Sequence, residues 1–76
     1  MERRDEELIL QHLTHDEELK TIYEEHQTLK RKLEEYRHKI HLSNEEEIEE
    51  KRIQKMKLAS KDRMMEILHR YQQEAH

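Results

Sequence analysis

From Leu19 onward, apolar residues recur at alternating spacings of three and four: Leu19, Ile22, Leu29, Leu33, Tyr36 and Ile40, with His26 filling the one polar place. Such spacing lays a stripe along one face of a helix and defines a heptad seam. The pattern predicts a long helix over about 16–41. Thr14 with Glu17 matches a capping box, and Asp16 is a competing N-cap, so the helix starts near 14–16.

Continued past Ile40, the repeat would put Ser43 and Glu47 in the seam, and it fails there. Leu42-Ser43-Asn44 is the only plausible turn in a chain without Gly or Pro. Ser43 with Glu46 forms a second capping-box pattern, and Glu45, Glu46 and Glu47 suit the positive end of a helix dipole. Arg37, His38, Lys39 and His41 suit the negative end of the helix before it. One helix therefore ends and another begins around a turn at 42–44, with Asn44 a candidate for a left-handed backbone.

The second long helix is predicted over about 44–73, with Ile53, Met56, Ser60, Met64, Ile67 and Tyr71 on one face. Set antiparallel to the first seam, Ile53 falls opposite Tyr36, Met56 opposite Leu33, Ser60 opposite Leu29 and Ile67 opposite Ile22. A short connection favours that antiparallel arrangement. A shorter helix is predicted over about 3–13, where Ile9, Leu10 and Leu13 cluster on one side and Glu6 extends it. The fold expected is all-α: one small domain spanning 1–76, an antiparallel, coiled-coil-like helical hairpin preceded by a short helix.

Leu58 and Met65 stand seven apart on the side of the last helix opposite the Ile53–Ile67 face. A hairpin alone leaves them in water. Either the first helix folds back onto them or another chain does. They are the residues expected to carry a partner contact.

Composition sharpens the picture. Charged residues make up 45% of the chain and hydrophobic ones only 32%, which by itself would fit disorder. Helical periodicity and the absence of Gly and Pro exclude that reading in favour of long helices. A chain this short buries a small share of its surface, so a partner surface would help it. The absence of Cys excludes disulfides, thiol chemistry and Cys-based zinc sites. No apolar run approaches a membrane span, and the acidic start MERRDEELIL is unlike a signal peptide. A cytoplasmic location is the expectation.

Catalytic equipment is not recognisable. Two histidine pairs, His12 with His15 and His38 with His41, have a spacing that puts both rings on one helix face. A metal needs more ligands than a pair supplies. The plainer reading has His38 and His41 at a helix C-terminus and His12 and His15 facing solvent. Neither a metal nor another cofactor is expected. His26 reads as an interfacial histidine bonded across the hairpin to Ser60 or Asp62, a polar seam position that sets register. The carboxylates lack a cleft to separate their pKa values. Asp16–Lys20, Glu35–Lys39, Glu47–Lys51 and Glu66–Arg70 are acid-first pairs four apart, a solvated helix surface.

Charge is segregated along the last helix. Five glutamates lie within 45–50, and Lys51, Arg52, Lys55, Lys57, Lys61 and Arg63 follow against one acid, Asp62. Such a basic stripe could engage nucleic acid or an anionic surface. The net charge of −4 and the absence of Phe and Trp for base stacking speak against nucleic acid.

Two segments together, IYEEHQTLKRKL (22–33) and KMKLASKDRMMEIL (55–68), resemble the two halves of the YdcH-like family, small bacterial proteins of unknown function. Its His-x-x-Leu pattern is matched by His26 and Leu29. Its Lys-Leu-x-Leu-Lys-Asp core is matched by Lys57, Leu58, Lys61 and Asp62. Ser60 stands where that family tends to have leucine, and Lys30 where an acid is common. The resemblance spans 19–70 and implies a helical hairpin with no established activity, substrate or cofactor. The function expected is a non-catalytic protein-interaction module, the partner being another protein or a second copy, with no small-molecule substrate. A nucleic-acid or anionic-surface binder using the basic stripe 51–63 is the alternative.

Overall fold

The computed structural model describes residues 3–74. It contains three helices, α1 (Arg3–His12), α2 (Glu17–Arg37) and α3 (Asn44–Glu74), and no strand among the described residues. α2 and α3 form the antiparallel hairpin, and α1 folds back against α3. The molecule is an elongated body of 50 × 21 × 16 Å. At 1.5 Å per residue, α3 alone runs most of that length.

Asp16 wins the competition to start α2. Its backbone is extended, at φ −122° and ψ 98°, and its Oδ1 accepts the Leu19 N–H at 2.9 Å. The Thr14–Glu17 box is not formed, because Thr14 lies in the turn that ends α1. The box expected at the other helix start does form. Ser43 N–H donates to Glu46 Oε1 and Glu46 N–H donates to Ser43 Oγ, each at 3.1 Å. Such a cap stabilises a helix by about 1 kcal/mol.

The first helix of the hairpin ends earlier than the seam predicted, at Arg37 rather than 41. His38 is its C-cap, donating back to the Glu34 carbonyl at 3.1 Å. The connection occupies 38–43 instead of 42–44. Ile40, expected in the seam, is 92% exposed. A longer α2 would have carried Ile40 alongside the acidic first turn of α3, where no apolar partner waits. Lys39 turns instead to Glu46 in an ion pair. Asn44 is not left-handed: no described residue has positive φ. Six residues spread the reversal over ordinary backbone conformations.

The register also differs. Ser60 meets His26, not Leu29, at 3.0 Å. The shift of three residues brings together the two polar seam positions, which would otherwise each be buried against an apolar neighbour. In this register Ile53 falls level with Leu33, Met64 with Ile22 and Ile67 with Leu19, and all six are buried. Met56, expected opposite Leu33, is 47% exposed.

The main core sits at the end of the hairpin that α1 covers. Ile9, Leu19, Ile22, Met64, Ile67 and Leu68 form one cluster, with Leu8, Leu13, Tyr23, Met65 and Tyr71 packed around it. The spacing within each helix does not by itself put Ile9 with Leu68, which share this core. α1 is rotated from the predicted face: Leu8, Ile9, His12 and Leu13 turn inward, and Leu10 turns out. Leu8, Ile9 and His12 follow the spacings of one and three that make a helical stripe, whereas Leu10 lies a further step around.

Candidate functional site

Three surfaces and one buried pair carry the polar chemistry of the molecule. The buried pair lies at the middle of the hairpin. Both His26 and Ser60 are 6% exposed. The Ser60 hydroxyl donates its only hydrogen to the Lys57 carbonyl at 2.7 Å, so its oxygen accepts from His26 Nδ1. That assignment puts the neutral imidazole's proton on Nδ1. Burial pushes the His26 pKa down; the Lys57 backbone carbonyl opposes this, and the Lys57 and Lys30 charges reinforce it. Asp62, the other expected partner, is exposed and takes no part.

A second cluster ties the three helices together. His12 stacks on the Tyr71 ring at 4.0 Å, with planes 6° apart, and its Nδ1 lies 3.0 Å from His15 Nε2. The Tyr71 hydroxyl donates to Asp16. That bond, followed by the Leu19 N–H, holds the Asp16 carboxyl below its ordinary value. His12 is therefore half-buried rather than solvent-facing, while His15, His38 and His41 are exposed. Among the described residues, no group of three or more His, Cys, Asp or Glu side chains is arranged to hold a metal ion.

An open groove of about 640 Å³ runs between α2 and α3 on the flank away from α1. Leu29, Met56 and Ala59 line it, with Glu24 and Glu25 on one side and Arg63 on the other. Thr21 and Thr28 also border it, their hydroxyls spent on the Glu17 and Glu24 carbonyls of their own helix. Sequence reasoning missed this groove because its register buried Met56. The signal was the expected His26–Ser60 bond, which the structure contains at 3.0 Å and which is incompatible with setting Ser60 opposite Leu29.

The two residues expected to carry a partner contact have parted company. Met65 is half-buried against the core that Ile9 completes, so α1 supplies part of the second contact. Leu58 remains 59% exposed. The basic stripe is likewise divided. Arg63 borders the groove, whereas Lys57 and Lys61 line a different hollow with Leu58. At 100° per residue, Arg63 lies about 140° around α3 from the Lys57–Lys61 side. Lys51, Arg52 and Lys55 are exposed on the segment nearer the turn.

Of the four expected acid-first pairs, none closes to an ion pair among the described residues, where Arg3–Glu7 at 3.6 Å and Lys39–Glu46 are found instead. Asp16 is committed to its cap and Lys39 to Glu46. No helix among the described residues is long and apolar enough to cross a membrane.

Comparison with known proteins adds no neighbour: no family model, no curated protein and no solved structure matches the chain. The YdcH-like resemblance stands on its two segments alone.

Proposed function

We propose that the chain is a non-catalytic interaction module whose partner across the open groove is a second copy of itself. The observation that carries this reading is the groove's charge layout. Its apolar floor is Leu29, Met56 and Ala59, its α2 side is acidic and its α3 side carries Arg63. Among the described residues Glu24, Glu25 and Arg63 have no ion-pair partner within 4 Å.

A two-fold axis running along the hairpin would place α2 of one copy over α3 of the other. The register set by His26–Ser60 and Asp16–Tyr71 puts Glu24 level with Arg63. Each copy's acidic side would then face the other's arginine, and the self-complementary patch that a two-fold interface requires would be met. Burying Met56 and Leu29 supplies the apolar part. An axis across the helices would instead set acidic side on acidic side.

The YdcH-like resemblance supports a hairpin scaffold for such a module and supplies no activity. The nucleic-acid reading is the weaker one, because the six cations of 51–63 do not share a surface.

Sedimentation equilibrium tests the proposal. The wild-type chain is expected to dimerise, and Met56→Glu to be monomeric with unchanged helical circular dichroism. Glu24→Arg should weaken the dimer by about fivefold and Arg63→Glu in the same chain should restore it. A monomeric wild type, or a dimer indifferent to Met56→Glu, would overturn it.

A further inference from the structure

On the flank that α1 crosses, α2 and α3 enclose a hollow of about 200 Å³. Lys30, Lys57 and Lys61 line it, with Gln27, His26 and, from α1, Glu6. Among the described residues none of the three lysines has a carboxylate within 4 Å. Sequence explains why. No Asp or Glu stands three or four residues from Lys57 or Lys61, so neither has an acid within reach on its own helix. Lys30 has only Glu34 at that distance, in the less favourable lysine-first order.

Three lysines line one hollow against a single acid, Glu6, so its surroundings carry a net positive charge. An anion with two negative charges would neutralise that excess. Ammonium groups and the Gln27 amide supply donors to its oxygens. We propose that the Lys30–Lys57–Lys61 hollow binds a phosphate-class oxyanion, either free phosphate or the terminal group of a phosphate monoester. This site lies on the opposite flank from the groove and does not depend on dimerisation.

The site has a built-in reporter. With Nδ1 bonded to Ser60, the nitrogen of His26 that gains a proton on charging is Nε2. Lys57 and Lys30 put positive charge beside His26, and Lys61 and, from α1, Glu6 line the same hollow. An oxyanion among them offsets the lysine charges that help keep the imidazole neutral, so binding should move the His26 pKa upward.

The test is an NMR titration of the full chain with inorganic phosphate and, separately, O-phosphoserine, against sodium chloride at equal ionic strength. Saturable shifts are expected at the amides of Gln27, Lys30, Lys57 and Lys61, with an upward move in the His26 titration. Saturation by inorganic phosphate identifies the free ion as sufficient, and saturation by O-phosphoserine alone identifies the monoester. Lys57→Gln with Lys61→Gln should weaken binding about tenfold. Glu6→Gln should tighten it about twofold, an effect that general loss of structure would not produce. Shifts that grow linearly without saturating, equal affinity in all variants, or binding to random-sequence DNA but to neither phosphate would overturn the proposal.

Discussion

At the scale of single residues, the His26–Ser60 pair decides most. Neither side chain is tolerable in a helix seam alone, yet each satisfies the other. Ser60→Ala removes the hydroxyl that accepts from His26 Nδ1, a loss expected to cost about 1–3 kcal/mol. Replacing both by leucine removes the polar groups together. The double variant His26→Leu, Ser60→Leu should therefore be more stable than either single variant predicts by addition, as a urea-unfolding double-mutant cycle would show. Additivity of the two changes would contradict the pairing.

The same residue sets a pH dependence. Its folded-state pKa is depressed below the ordinary 6.5, so the unfolded chain takes up the proton first as pH falls. Stability is full above 6.5 and is lost as pH falls through the lower folded value. Asp16 shares the sign but not the window. Its carboxyl is held below 3.8 by Tyr71 and Leu19, so its contribution disappears only in stronger acid. Urea midpoints should fall in two separate steps, and His26→Gln should remove the step nearer neutrality. A midpoint unchanged between pH 7.5 and 5 would rule this out.

At the scale of the helices, the sequence was legible wherever one face repeated without interruption. Leu19, Ile22, His26 and Leu33 were assigned to the seam from spacing alone, and all are buried. The Ser43–Glu46 box was legible because its pattern is local. Register was not, because a heptad stripe slid by one turn still presents apolar residues; only the polar pair breaks the tie. Ile40 was misassigned because spacing cannot show that the facing helix has begun with glutamates. The groove was hidden for the same reason, since Met56 is a buried seam residue in one register and an exposed groove residue in the other.

α1 illustrates a different limit. A ten-residue helix is unstable in isolation, and its docking rests on packing that the chain's own pattern does not specify. Ile9 is fully buried among Met64, Ile67 and Leu68. Ile9→Ala should cost about 2–4 kcal/mol in urea unfolding and expose Leu68. It should also speed hydrogen exchange throughout α1 while leaving the turn end, around Leu33 and Ile53, protected. Uniform loss of protection along the whole chain would mean that α1 is not a separable element.

At the scale of the molecule, the two flanks of one hairpin have different fates. α1 closes the flank next to Met65 and Leu68 and leaves Leu58 and three lysines around a hollow. The opposite flank stays open, with an apolar floor between sides of opposite charge. The anion proposal rests on the first flank and the dimer proposal on the second. This separation puts Leu58 and Met65 in different surroundings, and Arg63 on a different surface from Lys57 and Lys61.

The proposed groove-to-groove dimer is tested most directly by cross-linking, for which a chain without cysteine is well suited. One chain would carry Glu24→Cys and another Arg63→Cys, mixed and mildly oxidised. The mixed disulfide between the two chains should dominate, because a two-fold axis along the hairpin brings these positions together. Preferential coupling of Glu24→Cys chains to each other, or no coupling above that of an exposed control at Gln54, would contradict the account.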